Sequence, residues 1–598
     1  MIPSRKSLML FVLLLLTTTL LSQHMATTVS AAGSLSQEKK MELPYDYIAG
    51  TDVCAGDIDG DDVVEIVSVG YGAAGAGPVQ GSLGIGTWDG ANTVLEKGLA
   101  FQVESMDTYA YAVDMGDLDG DDLLEIVIAG YYYDGAHWHS WLQVYRWTGT
   151  TLTLLDTETW TPGEAFTEDV AVGDLDDDGT PEIVTCGMVY DGTTMQCQLR
   201  VWSWGAGLHL EASEEWDPSS WSECYGVALG ELDGEARIAT ASVFWDEVEG
   251  KSWGKVGVWS YGSDLTLEDS EEWDSVGDTW ARGVFIDDDK IYTAGISNDG
   301  TRDRGQLRVW SSSLAVEDSE EWHTVSHTSA RSVFVADVNG DGEKEVVNGG
   351  YAYDGTRDKA QLRVWSQSSP LTLEDSEEWY DTSWTEIRAV FVGDVDQDGV
   401  NEILTEGDAN NYKIIQLIVW SYPDNTDPTI TGLTPAAGST ANTGRPAIGA
   451  GFSDDYSGIN VSSVSIKVGG TDVTASATVT ATGVTYTPPS DLADGDYTAI
   501  VKVSDRSGNE ATATWTFKVK ILLFGLEPMI FYILVIGLIA VVLIVVVLMA
   551  MRGRKPSAPP APAYAPPPTA PPAANCPSCG TPITPGTTFC PKCGRRIQ

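Results

Sequence analysis

Histidine and cysteine are scarce in this chain, with six and eight copies, and 34 basic residues face 87 acidic ones. Each shortage removes a class of function. With so few histidines and neither an HExxH nor a nucleophile-elbow motif, histidine-based zinc hydrolysis and serine-triad chemistry have no foundation. A net charge of −53 argues against nucleic acid as a partner, because phosphate neutralisation needs clustered Lys and Arg. The surplus of acid favours solubility and repels anionic surfaces.

Long apolar runs are rare as well, and the two present set the topology. Arg5 and Lys6, an apolar stretch from Leu8 to Leu21 and small residues around Ser30-Ala31-Ala32 have the layout of a secretory signal over 1–32. Met529 to Met551 holds no charge and as a helix measures about 34 Å, enough to cross the hydrocarbon core. Arg552, Arg554 and Lys555 follow, which places the C-terminal side in the cytoplasm. The expectation is a single-pass type I protein of the cell membrane.

An acidic loop recurs every 50 to 60 residues or so. Its well-formed copies span Asp57 to Glu65, Asp117 to Glu125, Asp174 to Glu182, Asp337 to Glu345 and Asp394 to Glu402; decayed copies occupy the same phase at Glu231 to Ala239 and Asp287 to Gly295. Around each loop the chain reads as four short strands with turn signals, as in Val170 to Val172, Glu182-Ile-Val-Thr, Gln198 to Trp202 and an acidic-aromatic segment such as Leu265 to Trp273. One such sheet cannot bury its faces alone, and about seven stacked around an axis make a closed ring. The last unit ends at Gln416 to Trp420 without a fourth segment, so Met41 to Ile48 is expected to supply it.

Loop positions one, three, five and nine carry oxygen ligands that can wrap one hard cation, calcium rather than zinc or copper. An EF-hand is excluded because position twelve is Ser68, Ile128, Thr185, Asn348 or Thr405 rather than Glu, and the flanks read as strands. The stretches Gly116-Asp-Leu-Asp-Gly-Asp-Asp-Leu-Leu-Glu-Ile126 and Ala336-Asp-Val-Asn-Gly-Asp-Gly-Glu-Lys-Glu-Val346 resemble the FG-GAP and VCBS repeats of integrin α-subunits and microbial surface proteins. That resemblance implies calcium, about five ions, held by Asp57, Asp59, Asp61, Glu65; Asp117, Asp119, Asp121, Glu125; Asp174, Asp176, Asp178, Glu182; Asp337, Asn339, Asp341, Glu345; and Asp394, Asp396, Asp398, Glu402. The decayed loops, with Ala239 at position nine in one and Ile291 and Gly295 at five and nine in the other, are expected to hold none.

Strand alternation puts the other set of loops on the opposite face. These are rich in aromatics: Tyr131, Tyr132, Tyr133, Trp138 and Trp141 in one, and Trp221, Trp280 and Trp384 between repeats. Two readings fit: the rings contact a protein or carbohydrate partner, for which Tyr132, Trp138, Trp221, Trp280 and Trp384 are the candidates, or they pack between sheets as Trp202, Trp259, Trp310, Trp365 and Trp420 do. His137 and His139 lack a third ligand at motif spacing and read as a solvated turn. A hairpin turning at Asp191-Gly192 would set Cys186 opposite Cys197, within reach of a disulfide, while Cys54 and Cys224 read as buried thiols.

From 427 to 520 the composition turns to Thr, Ser, Val and Ala with alternating apolar positions, and Asp494-Gly-Asp-Tyr497 with Asp505-Arg-Ser-Gly-Asn509 resembles bacterial Ig-like modules, a β-sandwich stalk. Asn460-Val-Ser462 is a glycosylation sequon. Residues 552–575 form a Pro-rich cytoplasmic linker, and Cys576, Cys579, Cys590 and Cys593 in two CPxC knuckles resemble a short zinc ribbon holding one structural zinc ion and offering a cytoplasmic docking module. The fold class is thus mainly β: a seven-bladed β-propeller over 41–426, an Ig-like β-sandwich, one transmembrane α-helix at 529–551 and a zinc ribbon at 576–598. The expected function is calcium-dependent cell-surface adhesion or recognition rather than catalysis; the competing reading is a surface lyase or hydrolase acting on polysaccharide through paired carboxylates.

Overall fold

A computed structural model describes residues 35–44, 47–73, 77–90, 93–161, 163–216, 221–340, 342–422, 424, 426–454, 457–522, 526–552, 575–583 and 588–596. The signal segment expected at 1–32, nearly all of the 552–575 linker and the loop residue Asp341 lie outside these. Two compact units divide the chain, Met1–Lys520 and Ile521–Gln598.

Within the first unit, seven four-stranded antiparallel sheets succeed one another among the described residues. The third is typical, with Glu164–Gly173 innermost, then Glu182–Tyr190, Met195–Trp204 and Leu208–Trp216 at the rim. Each innermost strand packs on the next, and Glu386–Gly393 of the seventh sheet returns to Tyr47–Gly56 of the first, which closes a β-propeller. The seventh sheet takes only three strands from the C-terminal end of the ring. Its fourth is Ser36–Pro44, antiparallel to Ile414–Ser421 with Met41 opposite Leu417. The closing strand therefore starts at Ser36 rather than Met41 and ends at Pro44, which has no N–H to extend a ladder; Tyr47 and Ile48 belong to the first sheet.

Neighbouring sheets are joined by a repeated aromatic contact. The tryptophan ending a fourth strand meets the tryptophan near the end of the next sheet's third strand, with ring centroids 5.1 Å apart for Trp160 and Trp202, 5.0 Å for Trp273 and Trp310, 5.3 Å for Trp322 and Trp365, and 4.8 Å for Trp379 and Trp420. Both indoles are satisfied. Trp273 Nε1 donates to Gln306 at 2.8 Å, Gln306 in turn donates to Glu321 at 2.9 Å, and Trp310 Nε1 donates to Thr293 Oγ1 at 2.9 Å. Arg308 lies over both rings, 5.2 and 5.6 Å from their centroids, and Arg200 and Arg363 repeat the placement. The Glu-Glu-Trp signature thus encodes an inter-sheet joint whose stacking contributes about 0.5–1.5 kcal/mol per pair beyond area burial.

The innermost strands share a second device. Each carries a one-residue bulge, at Thr51, Tyr111, Glu168, Tyr225, Arg282, Arg331 and Arg388 in turn. Beside it the second strand comes so close that a Cβ on Gly187 would lie 2.0 Å from the Phe166 carbonyl oxygen, and one on Gly350 1.9 Å from that of Ser329. Glycine is the residue that admits such an approach.

Residues from Thr429 to Val519 form two further sheets, a β-sandwich around Ile466, Val501, Trp515 and Phe517. In the second unit, Pro528–Arg552 is a helix of 25 residues, long and apolar enough to cross a membrane.

Deleting Ser36–Pro44 leaves Ile414–Ser421 as an open sheet edge. The melting temperature should fall by about 5 °C or more, with concentration-dependent self-association; unchanged melting in calorimetry would count against the closure.

Candidate functional site

All five well-formed loops join a first strand to a second, and their described residues follow one path. The position-one carboxylate gathers backbone N–H groups: Asp57 accepts from Gly60, Asp61 and Asp62 at 2.8, 3.2 and 3.0 Å, and Asp117 repeats this with Gly120, Asp121 and Asp122. Positions four and six take left-handed φ, as at Gly60 and Asp62 (76° and 66°) and at Gln397 and Gly399 (60° and 96°). Position nine is a buried glutamate at Glu65, Glu125, Glu182, Glu345 and Glu402, and in each case its Oε2 accepts the N–H of position two at 2.9–3.0 Å. The second strand supplies that glutamate as its first residue.

This frame turns the remaining carboxylate oxygens toward one point. Ligand atoms of Asp57, Asp59 and Asp61, of Asp117, Asp119 and Glu125, of Asp174, Asp176 and Glu182, and of Asp394, Asp396 and Glu402 lie within 4.8 Å of one another. That is the span of two oxygens about 2.4 Å from a shared calcium ion. Asp59 Oδ1 and Asp394 Oδ1 are buried without a hydrogen-bond partner. Burial together with the neighbouring carboxylates pushes Glu65 and Glu182 up to about 7 and Glu402 to about 9. Crowded acids with orphaned oxygens are the electrostatics of a site that fits a hard cation. In the sixth loop Asn339 Nδ2 donates to Glu345 Oε1 at 3.1 Å. Asp178 and Asp398 also sit in these loops, each accepting a backbone N–H, from Thr180 at 2.9 Å and Val400 at 2.8 Å.

The two decayed copies have lost the loop itself. Leu232 pairs with Glu235 and Asp287 with Lys290, so each hairpin turns on two residues. Asp233 and Gly234 (φ 55° and 76°) and Asp288 and Asp289 (48° and 60°) have the left-handed pair of a type I′ turn. Ile291 and Gly295 are therefore strand residues with no loop role.

The second loop differs in a way the motif does not reveal. Arg146 donates from Nη1 to Asp121 at 3.0 Å, from Nη2 to Asp119 at 2.8 Å and from Nε to Glu125 at 2.8 Å. A guanidinium occupies the point on which these oxygens converge. In the other sheets the same register position holds Thr87, Ser203, Ser260, Ser311, Ser366 or Ser421, too short to reach. The signal was legible as an Arg after Val-Tyr where five of the other six repeats have Ser after Val-Trp.

On the opposite face the aromatic candidates separate. Tyr132 is a correction: it is 6% exposed, inside the core between sheets one and two, with His139 stacked on its ring at 4.6 Å. Strand alternation turns it inward while Tyr131 and Tyr133 face the other way. Trp138 is half-buried among Tyr109, Tyr131, Tyr133 and Phe166. Trp221 and Trp280 are half-buried beside each other at 6.1 Å, and Trp384 is half-buried against Tyr412. Among the described residues of this face the exposed rings are Trp245 (36%) and Tyr380 (48%), which flank turns and were not singled out by sequence. His137 and His139 bond to Glu164 and Asp134 at 3.3 and 3.0 Å. The disulfide expectation is corrected too. The turn runs from Asp191 to Thr194, so Cys186 pairs with Leu199 and Cys197 with Met188, and all four cysteines of the propeller are buried and in no disulfide.

In the second unit the two knuckles are alike: Gly580 N–H bonds to the Cys576 carbonyl and Gly594 N–H to that of Cys590, both at 2.9 Å. The sulfurs of Cys576 and Cys593 lie 3.9 Å apart and those of Cys579 and Cys590 3.5 Å. Four thiolates at about 2.3 Å from one zinc would be about 3.8 Å apart, so the cluster fits a closed structural site.

Comparison with known proteins follows the same division. Residues 117–185 match the FG-GAP-like repeat, 452–521 the bacterial Ig-like domain and 575–597 the zinc-ribbon domain. No curated protein matches the chain. Among solved structures, Sqt1 from Chaetomium thermophilum aligns at 10% identity and a TM-score of 0.40, covering 64% of this chain and 99% of Sqt1. The Dos1 propeller aligns at 10% identity and 0.36, covering 65% and 95%. The chain therefore joins an FG-GAP-like β-propeller, a bacterial Ig-like domain, an apolar helix and a zinc ribbon.

Proposed function

We propose that the protein is a calcium-dependent cell-surface adhesion or recognition protein, anchored by one type I membrane span, that binds an extracellular protein or glycan through its propeller. The carrying observation is the separation of the two faces: ion-ready acidic loops at one end of the sheets, and the rings of Trp138, Trp245 and Tyr380 at the other. The resemblance to integrin α and VCBS repeats supports the same reading. Calcium is held in the first, third, sixth and seventh loops, with Arg146 standing in for it in the second. The Ig-like domain serves as the stalk, and the zinc ribbon docks a cytoplasmic partner. No catalytic role is assigned.

Calorimetric titration of chelator-treated protein should give four calcium ions per chain, and Arg146→Ser should add a fifth. In chelator the same variant should lose about 3 kcal/mol of stability, because Glu125 is left buried and unpaired, and calcium should restore it. An unchanged stoichiometry would refute the substitution of Arg for ion. Metal analysis of the full chain should find one zinc, and none in Cys579→Ser.

A glycan-array and cell-binding screen of the full chain in detergent tests the function. Binding should be present with calcium, lost with chelator and weakened by Trp138→Ala, Trp245→Ala or Tyr380→Ala. Binding indifferent to chelator and to all three substitutions would overturn the reading, and turnover of a polymer would replace it with the enzyme.

A further inference from the structure

The seven bulges turn one side chain per sheet toward the propeller axis, and together these residues line a cavity of about 450 Å³, within the range of small-molecule sites. Its other walls, Phe166, Met188, Met195 and Glu223, come from the ends of strands remote from the acidic loops, so it belongs to the face assigned to the partner. Around the ring the chemistry is divided. Sheets two to four contribute Tyr111, Glu168 and Tyr225, and sheets five to seven contribute Arg282, Arg331 and Arg388.

Three guanidinium groups converging in a cavity must each be compensated. Two are. Glu386, fully buried, is ion-paired with Arg388 at 2.8 Å and accepts from Arg331 at 3.0 Å, and Asp408 accepts from Arg388 Nε at 2.8 Å. Burial alone would raise Glu386, but Arg331, Arg388 and Arg282 outweigh it and hold it below the usual carboxylate range. Arg282 has no such partner. It makes no hydrogen bond or ion pair among the described residues, its Nε is buried without an acceptor, and it lies over the rings of Tyr225 and Trp280 at 5.0 and 4.8 Å. The carboxyl groups across the cavity, Glu168 and Glu223, act on Arg282 only through space, without a hydrogen bond or ion pair to it among the described residues. Glu223 accepts the Tyr225 hydroxyl, and burial beside Glu223 pushes Glu168 up to about 8.

We propose that this cavity binds a hexuronate unit of an acidic glycan, its carboxylate on Arg282 and its hydroxyls on Glu168 and Glu223, against the rings of Tyr111 and Phe166. The guanidinium fork matches a carboxylate. The carboxyl groups opposite match a ligand that also brings several hydroxyl donors, which a hexuronate does and an acidic peptide side chain does not. The aromatic faces suit the apolar side of a sugar ring. In sequence the site is announced by the glycine beside six of the seven bulges, in Glu-Ile-Val-Ile-Ala-Gly130, Glu-Ile-Val-Thr-Cys-Gly187, Lys-Ile-Tyr-Thr-Ala-Gly295 and their equivalents.

This inference rests on the proposed recognition function, and the experiment separates the two. Full-length protein in detergent with calcium is titrated calorimetrically with glucuronate, with glucose and with a short glutamate-containing peptide, and it is screened on the same glycan array. Glucuronate should bind and glucose should not. Arg282→Gln should weaken glucuronate binding by about tenfold or more, the loss of a charged hydrogen-bond pair, and Arg282→Lys, which keeps the charge without the fork, should fall between. Both variants are checked for unchanged melting temperature, and either one suffices. If the array shows glycan binding that Arg282→Gln and Arg282→Lys leave intact, or if glucuronate fails to bind, the cavity assignment is wrong while the recognition function stands. If the peptide binds in its place and depends on Arg282, the site takes acidic peptides and the sugar assignment fails.

Discussion

Everything in the propeller hangs on the joint between sheets. A four-stranded sheet of this length has two faces to cover and no core of its own. The chain covers them with a tryptophan from each side of the joint, and then satisfies the polar atoms that the tryptophans bring with them. Gln306 accepts from Trp273 and is held in turn by Glu321; Gln361 does the same between Trp322 and Glu378. The fourth-strand aspartates add a backbone link, with Asp156 accepting from Leu208 N–H and Asp318 from Leu371 N–H in the following sheet. At the closure the same link recurs from Asp375 to Leu35 N–H, so the N-terminal strand enters the ring through the contact that also joins sheets two to three and five to six. A sizeable part of the acidity of this chain is therefore structural adhesive at the rim and is unrelated to metal.

With the rim fixed in this way, the inner strands are free to deviate. A bulge costs ladder hydrogen bonds and needs a close backbone approach, both tolerable where the sheet is held from outside. Six of the seven bulges have a glycine beside them whose Cβ would clash with backbone, while in the fourth sheet Ser242 faces Cys224 at that register. The ring of bulged side chains is thus a consequence of backbone geometry, and its residue types are left open to function. That is why Thr51 can lie in the same ring as Arg282 without disturbing the fold.

What could be read from the chain alone was whatever repeats. The acidic loops, the strand phase, the closure from the N-terminus, the Ig-like segment, the apolar helix and the paired CPxC knuckles all follow from periodicity or spacing. What escaped depends on register to a single residue. Placing the hairpin turn at Asp191-Gly192 instead of Asp191 to Thr194 moved Cys186 off its true partner Leu199. Tyr132 looked like part of an exposed aromatic run, but in a strand the middle of three consecutive tyrosines points opposite to the other two. The arginines of the cavity were invisible because a bulge shifts the inward alternation by one, and only the glycine on the neighbouring strand marks where that happens.

The acidic loops themselves pose one electrostatic problem, a set of carboxylates folded to within a few ångströms of each other, and the chain meets it in three ways. The first and seventh loops each keep a carboxylate oxygen buried without a hydrogen-bond partner, on Asp59 and Asp394, a configuration that a bound cation would relieve. The second loop brings its own cation on the next hairpin, Arg146. Sheets four and five dispense with the loop and turn on two residues, and in sheet five Lys344 reaches across to Asp287 and Asp288 at 2.6 and 3.2 Å. A self-contained second sheet and two loop-free sheets would keep part of the ring ordered whatever the calcium level. The seventh loop, where Ser507 of the Ig-like domain donates to Asp398 at 3.2 Å, would then be where calcium has most to gain, since ordering that loop also orders the junction between propeller and stalk.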